Sequence, residues 1–129
     1  MELKIVQATL LVDDYDKAIN YYTGVMKFQL LEDKKMSETK RWVRIAPSGN
    51  DSFSLLLAKA SNPEQSSHIG NQTGGRVFLF LHTDDFEGYF HHLISQNTEI
   101  ISGPTEEPWG KVAVLRDAYG NLWDLIQPA

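Results

Sequence analysis

The chain has 129 residues, with Lys+Arg 12 against Asp+Glu 17 and a formal net charge of -5. That length suits one compact domain made of two mutually dependent halves, and that charge repels phosphate backbones, so no nucleic-acid partner is expected. Cysteine is absent, which excludes disulfides, thiolate chemistry and cysteine-held zinc or iron–sulfur centres. Nothing approaches the roughly 20 apolar residues that cross a bilayer. The opening MELKIVQATLLVDD, with an acid at Glu2 and no small-residue cleavage site, does not read as a secretion signal. A cytoplasmic location without membrane contact is therefore expected.

Leu3–Val12 is rich in Ile, Val, Leu and Thr and suits a strand. Asp13 and Asp14 offer acceptors for the exposed amides of a helix start, and Tyr15, Ala18, Ile19 and Tyr22 then recur at helical spacing. Phe28–Glu32 reads as a second strand and Asp33–Thr39 as a polar connection. Arg41–Ile45 and Ser52–Lys59 form a hairpin around Pro47–Asp51. Ala60–Gly75, carrying Asn, Pro, Ser, Gln and Gly without either period, is expected to be a linker. Arg76–His82 resumes the strand pattern. Asp84 and Asp85 precede a second apolar stripe, Phe86, Tyr89, Phe90, Leu93 and Ile94, and Asn97–Ile101 returns as a strand. Lys111–Gln127 closes the chain as two strands around the turn Arg116–Asn121.

The halves repeat one another. Asp13 and Asp84 stand 71 positions apart, as do Gly49 and Gly120, and both halves read strand, helix, strand, strand, strand. The predicted organisation is one domain over 1–129 with a first module over about 3–59, a linker over about 60–75 and a second module over about 76–127. The fold class is α+β: two paired βαβββ modules forming a half-open barrel around a central cavity.

Leu11-Val12-Asp13-Asp14 leading to Ala18-Ile19-Asn20-Tyr21-Tyr22, then Trp109-Gly110, and above all Leu115-Arg116-Asp117-Ala118-Tyr119-Gly120-Asn121-Leu122-Trp123-Asp124-Leu125 resemble the vicinal oxygen chelate superfamily. This group contains glyoxalase I, bleomycin-resistance proteins, fosfomycin-modifying enzymes and extradiol dioxygenases. The resemblance implies a pocket and, in the enzymes, a divalent metal such as Zn, Ni, Mn or Fe. Carried over by motif, the four ligand positions fall on Gln7, Leu56, Arg76 and Asp124. Leu56 has no donor and Arg76 is a fixed cation, so the resemblance comes with a failed ligand set, and no metal is expected. Among the histidines, His68, His82, His91 and His92 are scattered, and the adjacent pair His91–His92 cannot share a helix face.

The candidate ligand-binding residues are Gln7, Trp42, Arg76, Trp109 and Asp124. Arg76 and Asp124 are expected to project into one cavity, either as a buried ion pair replacing the metal or as an open anion site at Arg76. Trp42 and Trp109 serve as stacking surfaces for a ligand or as packing and dimer contacts. Trp123 alternates with Asp124 and is expected in the core. Asp117 and Gly120 read as turn residues. Asp124 and Glu107 are the candidates for proton transfer, and Glu106 and Glu107 are expected in a flexible approach to Trp109.

Three functions compete. The first is a small-molecule-binding protein of bleomycin-resistance or glyoxalase-like type, working as a homodimer without the divalent metal. The second is a metal-dependent lyase, isomerase or dioxygenase, which requires His82 or Glu106 in the pocket or ligands from a partner chain. The third is a structural homodimer whose cavity is filled by its own side chains.

Overall fold

The computed structural model describes residues 1–48 and 52–129; the Gly49–Asn50 dyad of the first repeat lies outside the described residues. The chain divides into two compact units, Met1–Ser67 and His68–Ala129.

In the first unit β1 (Gln7–Val12) leads to α1 (Tyr15–Gly24), then β2 (Gln29–Lys35), β3 (Arg41–Ala46), β4 (Ser54–Lys59) and a short α2 (Pro63–Ser67). Asp14 caps α1 by accepting from the Lys17 amide at 2.8 Å, the role its place before the apolar stripe predicts. The strands lie in the order β1-β4-β3-β2, with β1 and β4 parallel. Leu10, Val12, Val43, Ile45, Leu55 and Leu57 are buried with Ala18 and Tyr22 of α1. Strand alternation turns the residues between them to the opposite, open face of the sheet.

The second unit repeats this order: β5 (Leu79–His82), α3 (Phe86–Ser95), β6 (Glu99–Glu107), β7 (Gly110–Arg116) and β8 (Leu122–Pro128), in a sheet ordered β5-β8-β7-β6. Asp85 caps α3 at the Gly88 amide. Leu81, Ala113, Leu115, Trp123 and Leu125 form the buried face with Phe86 and Leu93. Trp123 is a core residue, as its alternation predicts.

Several elements differ from the sequence reading. β2 runs on to Lys35, into the expected polar connection, because Asp33, Lys34 and Lys35 pair with Val43, Trp42 and Arg41 of β3. β1 begins at Gln7 rather than Leu3, because its partner β4 begins at Ser54, opposite Gln7, and Leu3 and Ile5 are exposed. β5 begins at Leu79 rather than Arg76: positive φ at Gly74 and Gly75 and a Thr73 Oγ1 bond to the Arg76 carbonyl hold Arg76 in a loop. β6 continues to Glu107 alongside β7, so Glu106 and Glu107 are strand residues and not a flexible approach. The expected linker holds α2, whose signal was Asn62-Pro63: Asn62 Oδ1 accepts from the Gln65 amide at 2.8 Å, and proline at the first helical position lacks only a donor that would be unpaired there.

The repeat offset is not constant along the modules. Thr9 pairs with Leu56, and Phe80 pairs with Asp124. Thr9 and Phe80 are therefore 71 apart, whereas Leu56 and Asp124 are 68 apart.

Candidate functional site

The open face of the first sheet carries a row of polar side chains running across all four strands. Glu32 Oε1 accepts from the Trp42 indole at 3.0 Å and from Arg44 Nε at 2.8 Å. Arg44 Nη1 reaches Ser54 Oγ at 3.4 Å, and Ser54 Oγ donates to Gln7 Oε1 at 3.5 Å. Strand register explains the row: Arg44 stands opposite both Glu32 and Leu56, and Ser54 stands beside Gln7. The Arg44 hydrogen bond, ahead of the Trp42 bond, holds the Glu32 carboxyl below its ordinary range, against the upward pull of burial. Gln7 and Trp42 are thus brought onto one face and into one network. The sequence reading missed Glu32, Arg44 and Ser54; the alternation of Trp42 and Arg44 along β3 was the available signal.

On the open face of the second sheet Asp124 sits in mid-strand between Phe80 and Val114. Asp124 is half-buried, and burial pushes its carboxyl above the ordinary aspartate range. His82 lies on the same face, opposite Ile126. Arg76 is exposed in the loop before β5, and it lines a cavity of about 210 Å³ that includes Arg116 but not Asp124. No ion pair joins Arg76 to Asp124 among the described residues; the glycine loop carries Arg76 off the sheet on which Asp124 stands. Trp109 is 56% exposed in the β6–β7 turn, where its carbonyl accepts from the Ala129 amide at 3.0 Å. Since β7 has 7 residues, Trp109 and the Arg116 end of the same strand are about 20 Å apart. Glu107 is exposed at the Trp109 end and accepts from its neighbour Thr105. Glu106 is exposed too, near Lys111, which also pairs with Glu87.

Asp117 gathers the β7–β8 turn. It is 4% exposed and accepts from the amides of Tyr119 and Asn121, each at 2.9 Å, from Asn121 Nδ2 and from the Trp123 indole at 2.9 Å. It is a structural residue, as its place in the turn predicts.

The donor set does not fit a divalent metal. Of the four positions carried over from the resemblance, Gln7 offers an amide oxygen already engaged by Ser54, Asp124 offers one carboxylate, and Leu56 offers nothing. Arg76 stands off the strand, and the place in the second module that matches Gln7 is Phe78, whose amide donates to the Leu122 carbonyl. Among the described residues no three His, Cys, Asp or Glu side chains cluster to hold an ion.

A module of one strand, one helix and three strands, repeated, with an open sheet face in each copy, defines the class: residues 4–125 match the Glyoxalase/Bleomycin resistance protein/Dioxygenase superfamily, and the chain belongs to it. An uncharacterized protein of Shewanella frigidimarina is 50% identical over 128 residues, covering 98% of this chain and 95% of that one. Among solved structures, TnmS3, an antibiotic binding protein from Streptomyces sp. CB03234, is similar with a TM-score of 0.77 at 30% identity, over 99% of this chain and 98% of that one. A glyoxalase/bleomycin resistance protein from the same Streptomyces strain gives a TM-score of 0.72 at 28% identity, over 96% and 100%.

Proposed function

We propose that this protein binds a small planar molecule, partly aromatic or acidic, without a dedicated metal. The observation that carries the reading is the row Gln7–Ser54–Arg44–Glu32–Trp42 on the open face of the first sheet. An amide, a guanidinium and an indole orient and stack an organic ligand, while the same face presents Leu56 where a metalloenzyme needs a ligand. The likeness to TnmS3, an antibiotic binding protein, supports this reading. In it Gln7 and Trp42 contact a ligand on the first sheet; in the second unit, taken by itself, Arg76 meets a charged group, and Asp124 and Trp109 are the further candidate contacts. The protein works in the cytoplasm as a homodimer, and light scattering should return twice the chain mass.

The test has two arms. Elemental analysis of protein purified without chelators should find no stoichiometric metal. Titration with bleomycin and with planar aromatic carboxylates should quench tryptophan fluorescence saturably for at least one compound, and Arg44→Ala, which removes the guanidinium at the centre of the row, should abolish that binding. Stoichiometric, tightly held Ni, Zn, Mn or Fe would overturn the reading, as would titrations that stay linear for every compound.

A further inference from the structure

The second unit contains a cavity of about 210 Å³ lined by Asn71, Thr73, Arg76, Phe78, Arg116 and Leu122, with glycines 70, 75 and 120 and Asn121 completing its wall. Its walls are held by an unusually close backbone contact. Gly70, with φ 75°, lies so near the β7–β8 turn that a Cβ there would overlap the Tyr119 carbonyl oxygen, and a Cβ on Gly120 would come within 3.4 Å of the Gly70 carbonyl. Asp117 fixes that turn from inside. The loop and the turn are therefore seated on each other through two glycines, and the cavity is built in rather than left over.

Two guanidinium groups line this small space. Arg76 makes no ion pair among the described residues, and Arg116 has only a long contact from Nε to Glu99, at 3.4 Å. The forked Nη donors of Arg116 carry no hydrogen bond to protein among the described residues. Two like charges facing one cavity with a single weakly held carboxylate are disfavoured when empty and complementary to an anion when filled. The volume admits a group of a few heavy atoms, and Asn71 and Thr73 add polar side chains to the lining, the Thr73 hydroxyl already donating to the Arg76 carbonyl.

We infer that Arg76 and Arg116 form a site for a small tetrahedral oxyanion of the phosphate or sulfate class, either free or as the charged end of a larger ligand. The inference rests on the ligand-contacting role given to Arg76 above and extends it with Arg116, a residue whose position in the turn sequence reads as structural.

The experiment is a titration of the full chain with inorganic phosphate, sulfate and acetate at ionic strength fixed with sodium chloride, followed by amide NMR. Phosphate and sulfate should move the amide signals of Gly70, Gly75 and Gly120 saturably, and acetate more weakly. Arg116→Gln and Arg76→Gln should each weaken phosphate at least about tenfold, the loss expected for one charge-assisted contact, while Lys40→Gln leaves it unchanged. Should Arg116→Gln fail to fold, Arg76→Gln in the exposed loop carries the test. Shifts that match those of chloride alone, or that survive both substitutions, would overturn the site. If phosphate fails while an aromatic carboxylate still quenches tryptophan saturably, the oxyanion site is refuted and the broader binding role stands. Saturable phosphate binding with no aromatic ligand supports the oxyanion site and removes the aromatic role.

Discussion

Replacing Asp117 by asparagine tests how the β7–β8 turn is held. Asp117 Oδ1 accepts from the Tyr119 and Asn121 amides, and Oδ2 accepts from the Trp123 indole and Asn121 Nδ2. An amide side chain keeps one oxygen and turns an NH2 toward donors, whichever way it is flipped. If the oxygen stays on the backbone amides, the indole N–H of Trp123, a residue only 2% exposed, faces another donor and loses its partner. A charged hydrogen bond contributes about 1.5–3 kcal/mol, and an unsatisfied buried donor costs about 1–3 kcal/mol. Relief of the buried charge offsets part of this, leaving a net loss of about 3 kcal/mol, a large share of the roughly 5–15 kcal/mol that stabilises a domain. Urea unfolding followed by far-UV circular dichroism should show a lower midpoint with an unchanged slope. A cycle combining Asp117→Ala with Trp123→Phe should give a coupling of about 1–2 kcal/mol, because the two share one bond. An unfolding free energy within about 0.5 kcal/mol of the parent, or additivity in the cycle, would refute the account of this turn.

Gly70→Ala should destabilise by about 2 kcal/mol or more in the same assay, because its Cβ meets the Tyr119 carbonyl and its φ is positive; a neutral result would contradict the loop–turn contact. Leu57→Ala, at 1% exposure, should cost about 2–5 kcal/mol, whereas half-buried Leu56→Ala should cost clearly less, and equal losses would place the β4 register in error. Asp124 has its carboxyl raised by burial, so the folded state holds the proton more tightly than the unfolded chain. Stability from this group is fully present below the unfolded pKa and declines as pH rises through the folded one. Asp124→Asn should therefore be more stable than the parent at pH 7, with the advantage disappearing in acid; unfolding curves across pH that run parallel for the two proteins would deny the burial effect.

Most of the architecture was legible because periodic patterns and capping carboxylates mark it locally. Asp14 and Asp85 announce the helices they cap, and the alternation of Leu122–Leu125 buries Trp123 and turns Asp124 the other way. The boundaries that moved depend on pairing across the sheet, which no single strand reveals. β1 starts where β4 offers it a partner, and Arg76 leaves β5 because two left-handed glycines bend the chain away. The candidate site was legible only in part for a similar reason. Gln7 and Trp42 could each be named as candidates, but that they share a face, linked through Ser54, Arg44 and Glu32 across four strands, is set by register. Arg116 was hidden by its position next to a turn, where its sequence neighbours suggest a local role.

Leu56 and Asp124 occupy the same rung of the two repeats, one hydrocarbon and one acid, flanked by Thr9 and Arg44 in the first copy and by Phe80 and Val114 in the second. Neither rung belongs to the helix-packed layer, so each copy can change its chemistry there without disturbing the layer that folds it. Exchanging the two residues, Leu56→Asp with Asp124→Leu, would consequently move a lone carboxylate from an oily setting to one beside a guanidinium while both modules keep their hearts intact.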